Sequence, residues 1–496
     1  MRLYVSRYVL NRLRLSLREY QLDGLETLRR AFQRGHRSLL YVLPTGGGKT
    51  VVFSAITELA AAKNKKVAIL VHRQELVRQT CDALKLIDVK HGTIIAGQKN
   101  ISNDLIQVCS VMTLARRLER LPENHFDLIV VDEAHHATSG AWQKILNHFQ
   151  TAKILGCTGT PERLDGKGLK NIFSEMVEGP DTQQLTDLGY LSKARVFVPP
   201  NNIDRNALKV RAGDYRIEEI DKPMSDRKLI GDAVAHYKKY LDPKTAIAFC
   251  CTVRHAEIVN EAFIQSGIKS KILHAKTPEN ERAEMIEDLG TGKVQIICSC
   301  MVISEGTDIP SVGGCLMLRP TKSLSLYLQQ VGRCLRPVEG KENAIILDHA
   351  GNVKEHGLPT TKRFWSLDGK KVRQKREAKE KLSVKCCPTC FCTVESSEKI
   401  CPECGHEFSV NQLIKQEKGE LIELSPTAHQ EEMRQMAARE RHRRKQKRSE
   451  VGKARTLQQL FEIAKERGYS QGWAYHVYQS RERRNALKRK FQRWEQ

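Results

Sequence analysis

The segment LPTGGGKT, residues 43–50, places three glycines, a lysine and a threonine directly after an apolar run. Glycines let backbone N–H groups turn around a phosphate, and the N-terminus of a following helix adds positive charge. Lys49 would reach the β- and γ-phosphates of a nucleotide, and the Thr50 hydroxyl would hold Mg²⁺. The first glycine of the usual GxxxxGKT pattern is replaced by Leu43. The segment predicts a phosphate-binding loop, and the alternative is a glycine-rich turn whose lysine faces solvent.

An acidic pair, Asp132 and Glu133, follows an apolar run in the segment DLIVVDEAHH. A carboxylate at the end of a buried strand is placed to hold Mg²⁺, and the adjacent one can activate water as a general base. An isolated Asp-Glu pair at such a position is more often a cap or a surface turn. Here the pair follows the GKT segment by about 80 residues, the spacing expected within one nucleotide-binding sheet. Together the two segments predict nucleotide hydrolysis with Mg²⁺.

Strand-like apolar runs alternate with helical patterns over residues 38–161 and again over residues 245–351. Such alternation predicts parallel sheets covered by helices on both faces. The predicted helices begin and end at about residues 49–62, 75–86, 254–265, 279–289 and 323–334. The pattern lapses around residues 165–221. We therefore predict an α/β protein with two consecutive parallel-sheet domains.

A series of segments resembles, in chain order, the motifs of superfamily-two helicases and translocases with the DEAH form of motif II. The matching segments are 18–21 (the adenine-reading Q motif), 70–79 (Ia), 110–117 (Ib), 158–161 (III), 249–257 (IV), 303–310 (V) and 329–336 (VI). The resemblance covers residues 18–352, about two thirds of the chain. It implies two tandem RecA-like domains with ATP in the cleft between them.

The resemblance also implies roles for the residues that match these motifs. The residues implied to bind ATP are Arg18, Gln21, Pro44, Thr45, Gly46, Gly47, Gly48, Lys49, Thr50, Gly306 and Asp308. Those implied in hydrolysis are Lys49, Asp132, Glu133, Gln329, Arg333 and Arg336, the two arginines as arginine fingers of the second domain. Contacts with a nucleic-acid strand, mainly through phosphates, are implied for His72, Arg73, Ser110, Thr113, Thr252 and Ser304. His135 is implied to couple to Gln329, whereas His136 matches no role and is interpreted as structural.

Within the superfamily, LDHAGN at residues 347–352 and the cysteine-rich region after it resemble bacterial RadD-type DNA-repair helicases. Residues 467–481 are similar to the tails of prophage-borne helicases. This resemblance implies an ATP-dependent DNA helicase or translocase in DNA repair or mobile-element maintenance. The alternatives are a restriction or remodelling motor that translocates without unwinding, and a non-catalytic DNA-binding zinc protein. The expected partner is single-stranded or forked DNA, with a single-strand-binding protein as a further candidate and RNA as an open alternative.

Six of the fifteen cysteines lie within residues 386–404. Two CxxC pairs in this region can converge on a tetrahedral zinc ion, and an iron–sulfur cluster is the alternative. The predicted ligands are Cys387, Cys390, Cys401 and Cys404. The spare candidates are Cys386, Cys392 and His406. The other cysteines are scattered, several of them in apolar runs, and indicate a reducing compartment.

Basic residues outnumber acidic ones by 82 to 58, and 32 of the basic but only 18 of the acidic residues lie in residues 361–496. Concentrated positive charge indicates a polyanionic partner, nucleic acid first, and the alternative is a solvated tail. No apolar run is long enough to span a membrane, and residues 1–20 lack the apolar core of a secretory signal. We therefore expect no membrane partner and a cytoplasmic, nucleoid-associated protein of a bacterium or phage.

These patterns divide the chain into six predicted segments. They are an ATP-binding RecA-like domain (1–198), a linker (199–225), a second RecA-like domain (226–357), a basic connector (358–385), a zinc-ribbon-like module (386–408) and a basic helical tail (409–496). The first and third segments carry the predicted ATP site, and the last carries most of the predicted nucleic-acid charge.

Overall fold

The computed structural model describes residues 16–162, 166–198, 209–211, 213–225, 227–300, 309, 312–368, 384–386, 393–395, 400, 422–424, 454, 456–466 and 478. The chain divides into two compact units. One consists of Met1–Lys381 and Ser409–Ala428, and the other of Leu382–Phe408 and His429–Gln496. The first unit contains both large sheets and is described first.

The first sheet contains seven parallel strands in the order β3-β4-β2-β5-β6-β1-β7. The strands are β1 (Ser38–Val42), β2 (Val67–Val71), β3 (Gly92–Ile94), β4 (Ile106–Ser110), β5 (Leu128–Asp132), β6 (Lys153–Thr158) and β7 (Glu175–Glu178). The helices of this domain are α1 (Glu19–Gln33), α2 (Lys49–Ala61), α3 (Gln74–Leu86), α4 (Val111–Leu114), α5 (Gly140–His148) and α6 (Thr182–Asp187). The predicted helices at 49–62 and 75–86 are confirmed to within one residue at each end.

The central strands of this sheet are buried on both faces, as expected for a parallel sheet between two helical layers. Every residue of β2 and β5 is buried, which explains why both sequences are apolar apart from Asp132 at the end of β5. In β1 the side chains alternate between two cores. Leu39 and Tyr41 pack in the core that includes residues of α1, α2 and α3, whereas Leu40 and Val42 pack in the core that includes α5.

The second sheet also contains seven strands, in the order β12-β13-β11-β14-β15-β8-β18. The strands are β8 (Lys193–Val198), β11 (Ala246–Phe249), β12 (Ser270–Leu273), β13 (Ile296–Ser299), β14 (Gly314–Met317), β15 (Asn343–Leu347) and β18 (Ile422–Leu424), and a two-stranded hairpin is formed by β9 (Val210–Arg211) and β10 (Asp214–Tyr215). The helices are α7 (Ile217–Met224), α8 (Arg227–Tyr240), α9 (Val253–Gln265), α10 (Glu279–Thr291), α11 (Leu324–Cys334) and α12 (Asn352–His356). Within the seven-stranded sheet, all strand pairs are parallel except β18 with β8. Two tandem parallel-sheet α/β domains are thereby confirmed.

The strand pairing differs from the predicted domain boundaries at two places. Residues 193–198 were assigned to the first domain, but β8 pairs in parallel with β15 and belongs to the second sheet. Within the predicted linker 199–225, α7 is a packed helix whose Ile220 and Met224 are fully buried. The connection between the two sheets therefore comprises residues 179–192, which include α6.

A third difference concerns residues 422–424, which lie inside the predicted basic helical tail. They form β18, an edge strand antiparallel to β8. The sequence gives only a weak indication of a strand in this region, because the strand has only three residues and its partner lies more than 200 positions earlier in the chain. The second sheet therefore extends into the C-terminal region.

The second unit contains a short antiparallel hairpin of β16 (Val384–Cys386) and β17 (Thr393–Glu395), and a helix, α13 (Leu457–Glu466). Leu460 of this helix is fully buried with Ala454 against Phe461 and Tyr478. The predicted zinc ligands Cys387, Cys390, Cys401 and Cys404 lie outside the described residues, as do Cys392 and His406. Within the described part of the chain, no group of three or more His, Cys, Asp or Glu residues is arranged to hold a metal ion. No described helix is long and apolar enough to cross a membrane.

Candidate nucleotide site

The loop between β1 and α2 depends on its glycines. Gly46 and Gly48 have φ angles of 87° and 84°, in the left-handed region that residues with a side chain rarely adopt. A Cβ atom at Gly48 would lie 2.5 Å from Gln21 Nε2, and one at Gly47 would lie 2.8 Å from Leu43 Cγ. Side chains are therefore excluded on both steric and conformational grounds. The loop leads directly into the N-terminus of α2, the arrangement that receives a phosphate group.

Lys49 is the first residue of α2 and faces the end of β6. Its Nζ donates a hydrogen bond to the Leu43 carbonyl at 3.4 Å. The same nitrogen and Thr45 Oγ1 each lie 3.4 Å from the position that a Cβ atom would take at Gly159. The lysine thus stands between the phosphate loop and the TGTP segment, where it can meet the terminal phosphates of a nucleotide.

The acidic pair lies at the end of β5, and both residues are 8% exposed. Glu133 has φ 47° and ψ 53°, left-handed values that cost a residue with a side chain about 1–3 kcal/mol. Its backbone N–H donates to Asp132 Oδ1 at 3.0 Å. Burial and the neighbouring Glu133 charge raise the pKa of Asp132 to about 6, although Lys49 acts in the opposite direction. Buried carboxylates this close, facing a lysine, form a fitting oxygen site for Mg²⁺, because a divalent cation would offset their repulsion.

Two histidines extend this acidic site towards the end of β2. His135 Nδ1 lies 3.2 Å from Thr158 Oγ1 and 3.4 Å from Glu133 Oε2. The ring of His136 lies 4.1 Å from that of His135 and 4.9 Å from that of His72, measured between centroids. Sequence reasoning gave His136 no functional role, yet it touches both a predicted nucleic-acid contact and the neighbour of the predicted general base. The predicted coupling of His135 to Gln329 stays a prediction.

The start of α1 is tied to the phosphate loop. Tyr20 Oη donates to the Gly47 carbonyl at 2.7 Å, and Gln21 Nε2 approaches the same oxygen at 3.4 Å. The Arg18 backbone N–H donates to Gln21 Oε1 at 3.0 Å, and the Arg18 guanidinium lies 4.3 Å above the ring of Tyr190. The structure thus ties the Q-type segment to the loop through Tyr20 and Gln21. It adds Tyr190, an aromatic residue that the sequence-based site omitted.

The second domain places α11 against the phosphate loop. A Cβ atom at Gly332 would lie only 2.6 Å from Thr45 Cβ, and Arg336 Cγ lies 3.9 Å from the corresponding position at Gly46. Gln329 and Arg333, both on α11, are 4% and 6% exposed. The Arg336 guanidinium donates to the Ile309 carbonyl at 3.1 Å. The helix α11, which carries Gln329 and Arg333, therefore packs against the phosphate loop of the first domain, and Arg336 follows it there. Gly306 and Asp308 lie outside the described residues.

The predicted nucleic-acid contacts of the first domain share one sheet edge. Val71 of β2 is paired with Ser110 of β4, so His72 and Arg73 leave the sheet beside Ser110. Thr113 follows within α4. Arg73 and Ser110 each occupy the residue before a helix, a position at which the N–H groups of the first helical turn can meet a phosphate.

The second-domain contact Thr252 has internal partners. Its hydroxyl accepts a hydrogen bond from the His255 N–H at 3.0 Å, which caps α9, and donates to Asp221 Oδ1. A phosphate at this position would have to replace Asp221 or bind the backbone instead. Ser304, the other predicted contact of this domain, lies outside the described residues.

A cavity of about 240 Å³ lies beside the phosphate loop. It is lined by Thr45 and Gly159 together with Glu178, Gly332 and Trp365, among others. Gln21, Lys49 and Asp132 do not line it. We therefore distinguish this cavity from the nucleotide site, which is defined by the loop, the acidic pair and the arginines.

Two family models match the chain. "Type III restriction enzyme, res subunit" matches residues 14–163, and "Helicase conserved C-terminal domain" matches residues 230–338. The first match spans the chain from the Q-type segment to the TGTP segment. The second spans β11 to α11 and includes both predicted arginine fingers.

Three similar proteins illustrate the relationship. A 51.5 kDa protein of a Lactococcus phage is 34% identical over 74% of this chain and 78% of its own length. The putative ATP-dependent helicase IRC3 of Saccharomyces cerevisiae is 30% identical over 68% of this chain, which spans about half (51%) of that relative. A fragment of a putative HsdR subunit of a type I restriction enzyme from Vibrio vulnificus shares the fold, with a TM-score of 0.58 and 20% identity over 71% of this chain and 67% of the fragment. The chain belongs to the same family as the phage protein, and with both helicase domains present it is a member of the superfamily-two helicases.

Proposed function

We propose that this protein is an ATP-dependent motor that moves along DNA. The observation that carries the proposal is the convergence of Lys49 and the acidic pair of the first domain with α11 of the second on one phosphate loop. A site divided between two domains is complete only when they close. Hydrolysis can therefore drive cycles of closure and opening that move the domains along a strand.

Each residue of the site has a distinct part in hydrolysis. Lys49 and the backbone N–H groups of the loop hold the β- and γ-phosphates, and Glu133 orients water and accepts its proton as the water oxygen attacks the γ-phosphorus. The bond from the γ-phosphorus to the bridging oxygen breaks, leaving ADP. Thr50 and Asp132 would hold Mg²⁺, which would supply positive charge to the phosphates. Arg333 and Arg336 offset the charge that develops on the transferred group.

The nucleic-acid track in this proposal runs past His72, Arg73, Ser110 and Thr113 to Thr252 and Ser304 of the second domain. Contacts from helix starts and hydroxyl groups address phosphates, so binding is independent of base sequence. The neighbouring rings of His72, His136 and His135 connect this track with Glu133. DNA rather than RNA is supported by the likeness to a restriction-enzyme fragment, and the LDHAGN segment favours a RadD-type repair motor of a bacterium or phage.

A restriction-type motor that translocates without unwinding is the second candidate. It is favoured by the match to the restriction res-subunit model over residues 14–163. Both candidates use the same ATP site, so only the consequence of movement separates them. Strand displacement from a forked duplex supports the helicase, whereas displacement of a triplex-forming strand from an intact duplex, without unwinding, supports the translocase.

The experiment that tests the proposed function compares ATP hydrolysis with four polymers in parallel. Single-stranded DNA, duplex DNA, forked DNA and RNA of equal length would be titrated into the full-length protein. We expect hydrolysis to depend on DNA and to be highest with single-stranded or forked DNA. If no polymer stimulates hydrolysis, the protein is not a nucleic-acid motor. If only RNA stimulates it, the motor moves along RNA rather than DNA. Adding a single-strand-binding protein tests that further partner.

We predict that deletion of residues 429–496 weakens DNA binding and reduces its salt dependence. This segment holds 19 basic and 8 acidic residues, and each phosphate that it neutralises adds about 0.7–0.9 to the slope of log affinity against log salt. The deletion begins at 429 because a deletion from 411 would remove β18 from the second sheet. Binding would be measured by fluorescence anisotropy across a salt series.

A second variant tests the same positive charge without shortening the chain. Replacing Arg441, Arg443 and Arg444 by glutamine should reduce the slope by up to about 2–3, while ATP turnover at saturating DNA changes little. An unchanged slope of log affinity against log salt in both variants would mean that the two sheet domains bind DNA without the C-terminal segment.

We further propose that Cys387, Cys390, Cys401 and Cys404 hold one structural zinc ion. Purified protein should then contain about one zinc per chain by elemental analysis, and Cys401→Ser should release it. Cys81→Ser, a change in α3 of the first domain, is the control that should retain the metal. Basal ATP hydrolysis should largely persist without zinc, because the ATP residues belong to the other unit. Protein without metal, or with iron, would contradict the assignment.

A further inference from the structure

Three consecutive carbonyl groups, those of Cys334, Leu335 and Arg336, follow directly after Arg333 at the end of α11. The carbonyls of the last turn of a helix have no partners within the helix, so groups from elsewhere must hold them. The first two carbonyls lie between the two predicted arginine fingers, and the third belongs to the second finger, Arg336. Whatever binds them fixes the directions in which Arg333 and Arg336 extend.

Lys341 holds the first and third of these carbonyls. It lies in the loop between α11 and β15, and its Nζ donates to the Cys334 carbonyl and, at 2.9 Å, to the Arg336 carbonyl. Burial lowers the pKa of Lys341, which reflects withdrawal of this amine from water. A lysine at the C-terminus of a helix also meets the negative end of the helix dipole.

Ser192, which lies 144 residues before Arg336 in the chain, holds the second and third carbonyls. Its backbone N–H donates to the Leu335 carbonyl at 2.7 Å, and its hydroxyl approaches the Arg336 carbonyl at 3.4 Å. Ser192 is 7% exposed, so these bonds are shielded from solvent. The Arg336 carbonyl therefore receives donors from both Lys341 and Ser192.

Ser192 ends a tripeptide that touches three segments at the nucleotide site. Tyr190 lies beneath the guanidinium of Arg18, and Leu191 Cδ2 lies 2.9 Å from the position of a Cβ atom at Gly46. The same short segment of the inter-sheet connection thus contacts the start of α1, the phosphate loop and the end of α11. It fixes the spacing between the loop that holds the phosphates and the segment that carries the arginines.

We propose that Lys341 and Ser192 are positioning residues for ATP hydrolysis, which hold the 334–336 backbone so that Arg333 and Arg336 face the phosphate loop. This proposal rests on the proposed function. It adds to the ATP site two residues that none of the matched helicase motifs includes. Neither side chain needs to touch ATP. An arginine that samples several directions spends only part of its time in the productive one, so loosening its backbone lowers the rate of the chemical step more than nucleotide binding.

The test compares Lys341→Met and Ser192→Ala in the full-length protein at saturating DNA. Lys341→Met keeps much of the apolar stem but removes the donors, and we expect kcat to fall by about tenfold or more while KM for ATP changes less than about twofold. Ser192→Ala keeps the backbone N–H, so a smaller loss of kcat of about threefold is expected. Lys341→Arg should recover part of the activity because it restores a cation with donors. Lys293→Met, on the same domain with its amine 3.8 Å from Asp288, is the control and should behave as wild type.

The outcomes separate this proposal from the proposed function. A wild-type protein without DNA-dependent ATP hydrolysis would refute the proposed function itself. An active wild type with unchanged kcat in a folded Lys341→Met variant, or with a raised KM alone, would refute the positioning role. If Lys341→Met fails to fold, Ser192→Ala and Lys341→Arg decide, because the proposal requires Ser192→Ala to lower kcat at unchanged KM. The Ser192→Ala, Lys341→Arg double variant provides a further check. If its loss of kcat equals the sum, in free energy, of the losses in the two single variants, Lys341 and Ser192 do not act together on the Arg336 backbone.

Discussion

Glu133→Gln is expected to retain ATP while turnover falls by about two to four orders of magnitude, the usual contribution of a positioned general base. The amide has nearly the shape of the carboxylate but cannot accept the proton of the attacking water. Removing this charge also removes the repulsion that raises the pKa of Asp132. We therefore expect binding of Mg²⁺·ATP to be unchanged or tighter. Single-turnover hydrolysis and equilibrium binding of a fluorescent ATP analogue measure the two effects separately.

Lys49→Ala is the matched comparison for this prediction, since it changes a residue that holds phosphate rather than water. It should weaken both nucleotide binding and turnover, because Nζ faces the space between the phosphate loop and Gly159. Near-normal turnover in Glu133→Gln would remove the general-base assignment. A loss of ATP binding in Glu133→Gln equal to that in Lys49→Ala would indicate that Glu133 holds the cation instead.

The parts of the fold that could be predicted from sequence are those in which local composition and burial agree. β2 and β5 are buried along their whole length, and their sequences are apolar throughout except for Asp132 at the end of β5. The helix after the phosphate loop must begin at Lys49, because Gly48 adopts a left-handed conformation that ends the loop. Because parallel strands end at one edge, the same patterns also placed Asp132 and Glu133 near Lys49.

The parts that could not be predicted are short edge elements and contacts between distant segments. β7 and β18 have four and three residues of mixed polarity, and neither shows a period that distinguishes a strand from a loop. β8 has a strand-like sequence, but its partner β15 follows about 150 residues later, so local patterns assigned it to the wrong domain. For the same reason, the contacts of the tripeptide 190–192 could not be predicted, because the three segments that it touches are distant from it in the sequence.

Side-chain roles show a similar division. Motif resemblance pointed to residues that lie around the phosphate loop, but it also implied a phosphate contact for Thr252, whose hydroxyl is bonded to Asp221 and the start of α9. A capping threonine and a phosphate-binding threonine have the same sequence signal, since both precede a helix. Only the position of Asp221, 31 residues earlier, separates the two.

Arg333→Ala is expected to abolish most DNA-stimulated ATP turnover while DNA binding and its salt dependence stay unchanged. Arginine fingers contribute about 10³–10⁵ to the rate, because a guanidinium meets the charge that develops on the γ-phosphoryl group. Arg333 is 6% exposed on α11, whose Gly332 packs on Thr45 of the phosphate loop. The Arg333 side chain is therefore buried where α11 packs on the first domain, so we do not expect it to contribute to DNA binding. ATP hydrolysis and DNA anisotropy across a salt series would be measured on the same protein.

Two further variants separate loss of the finger from loss of structure. Arg333→Lys keeps the charge in the buried position but not the planar fork, and it should remain at least about 100-fold slower than wild type. Arg282→Ala, on α10 with its guanidinium bonded to the Thr277 carbonyl, removes an arginine of the same domain and should leave turnover near wild type. Full activity in a folded Arg333→Lys variant would show that position 333 supplies only charge. Full activity in Arg333→Ala would leave Arg336, bonded to the Ile309 carbonyl, as the finger that completes the site.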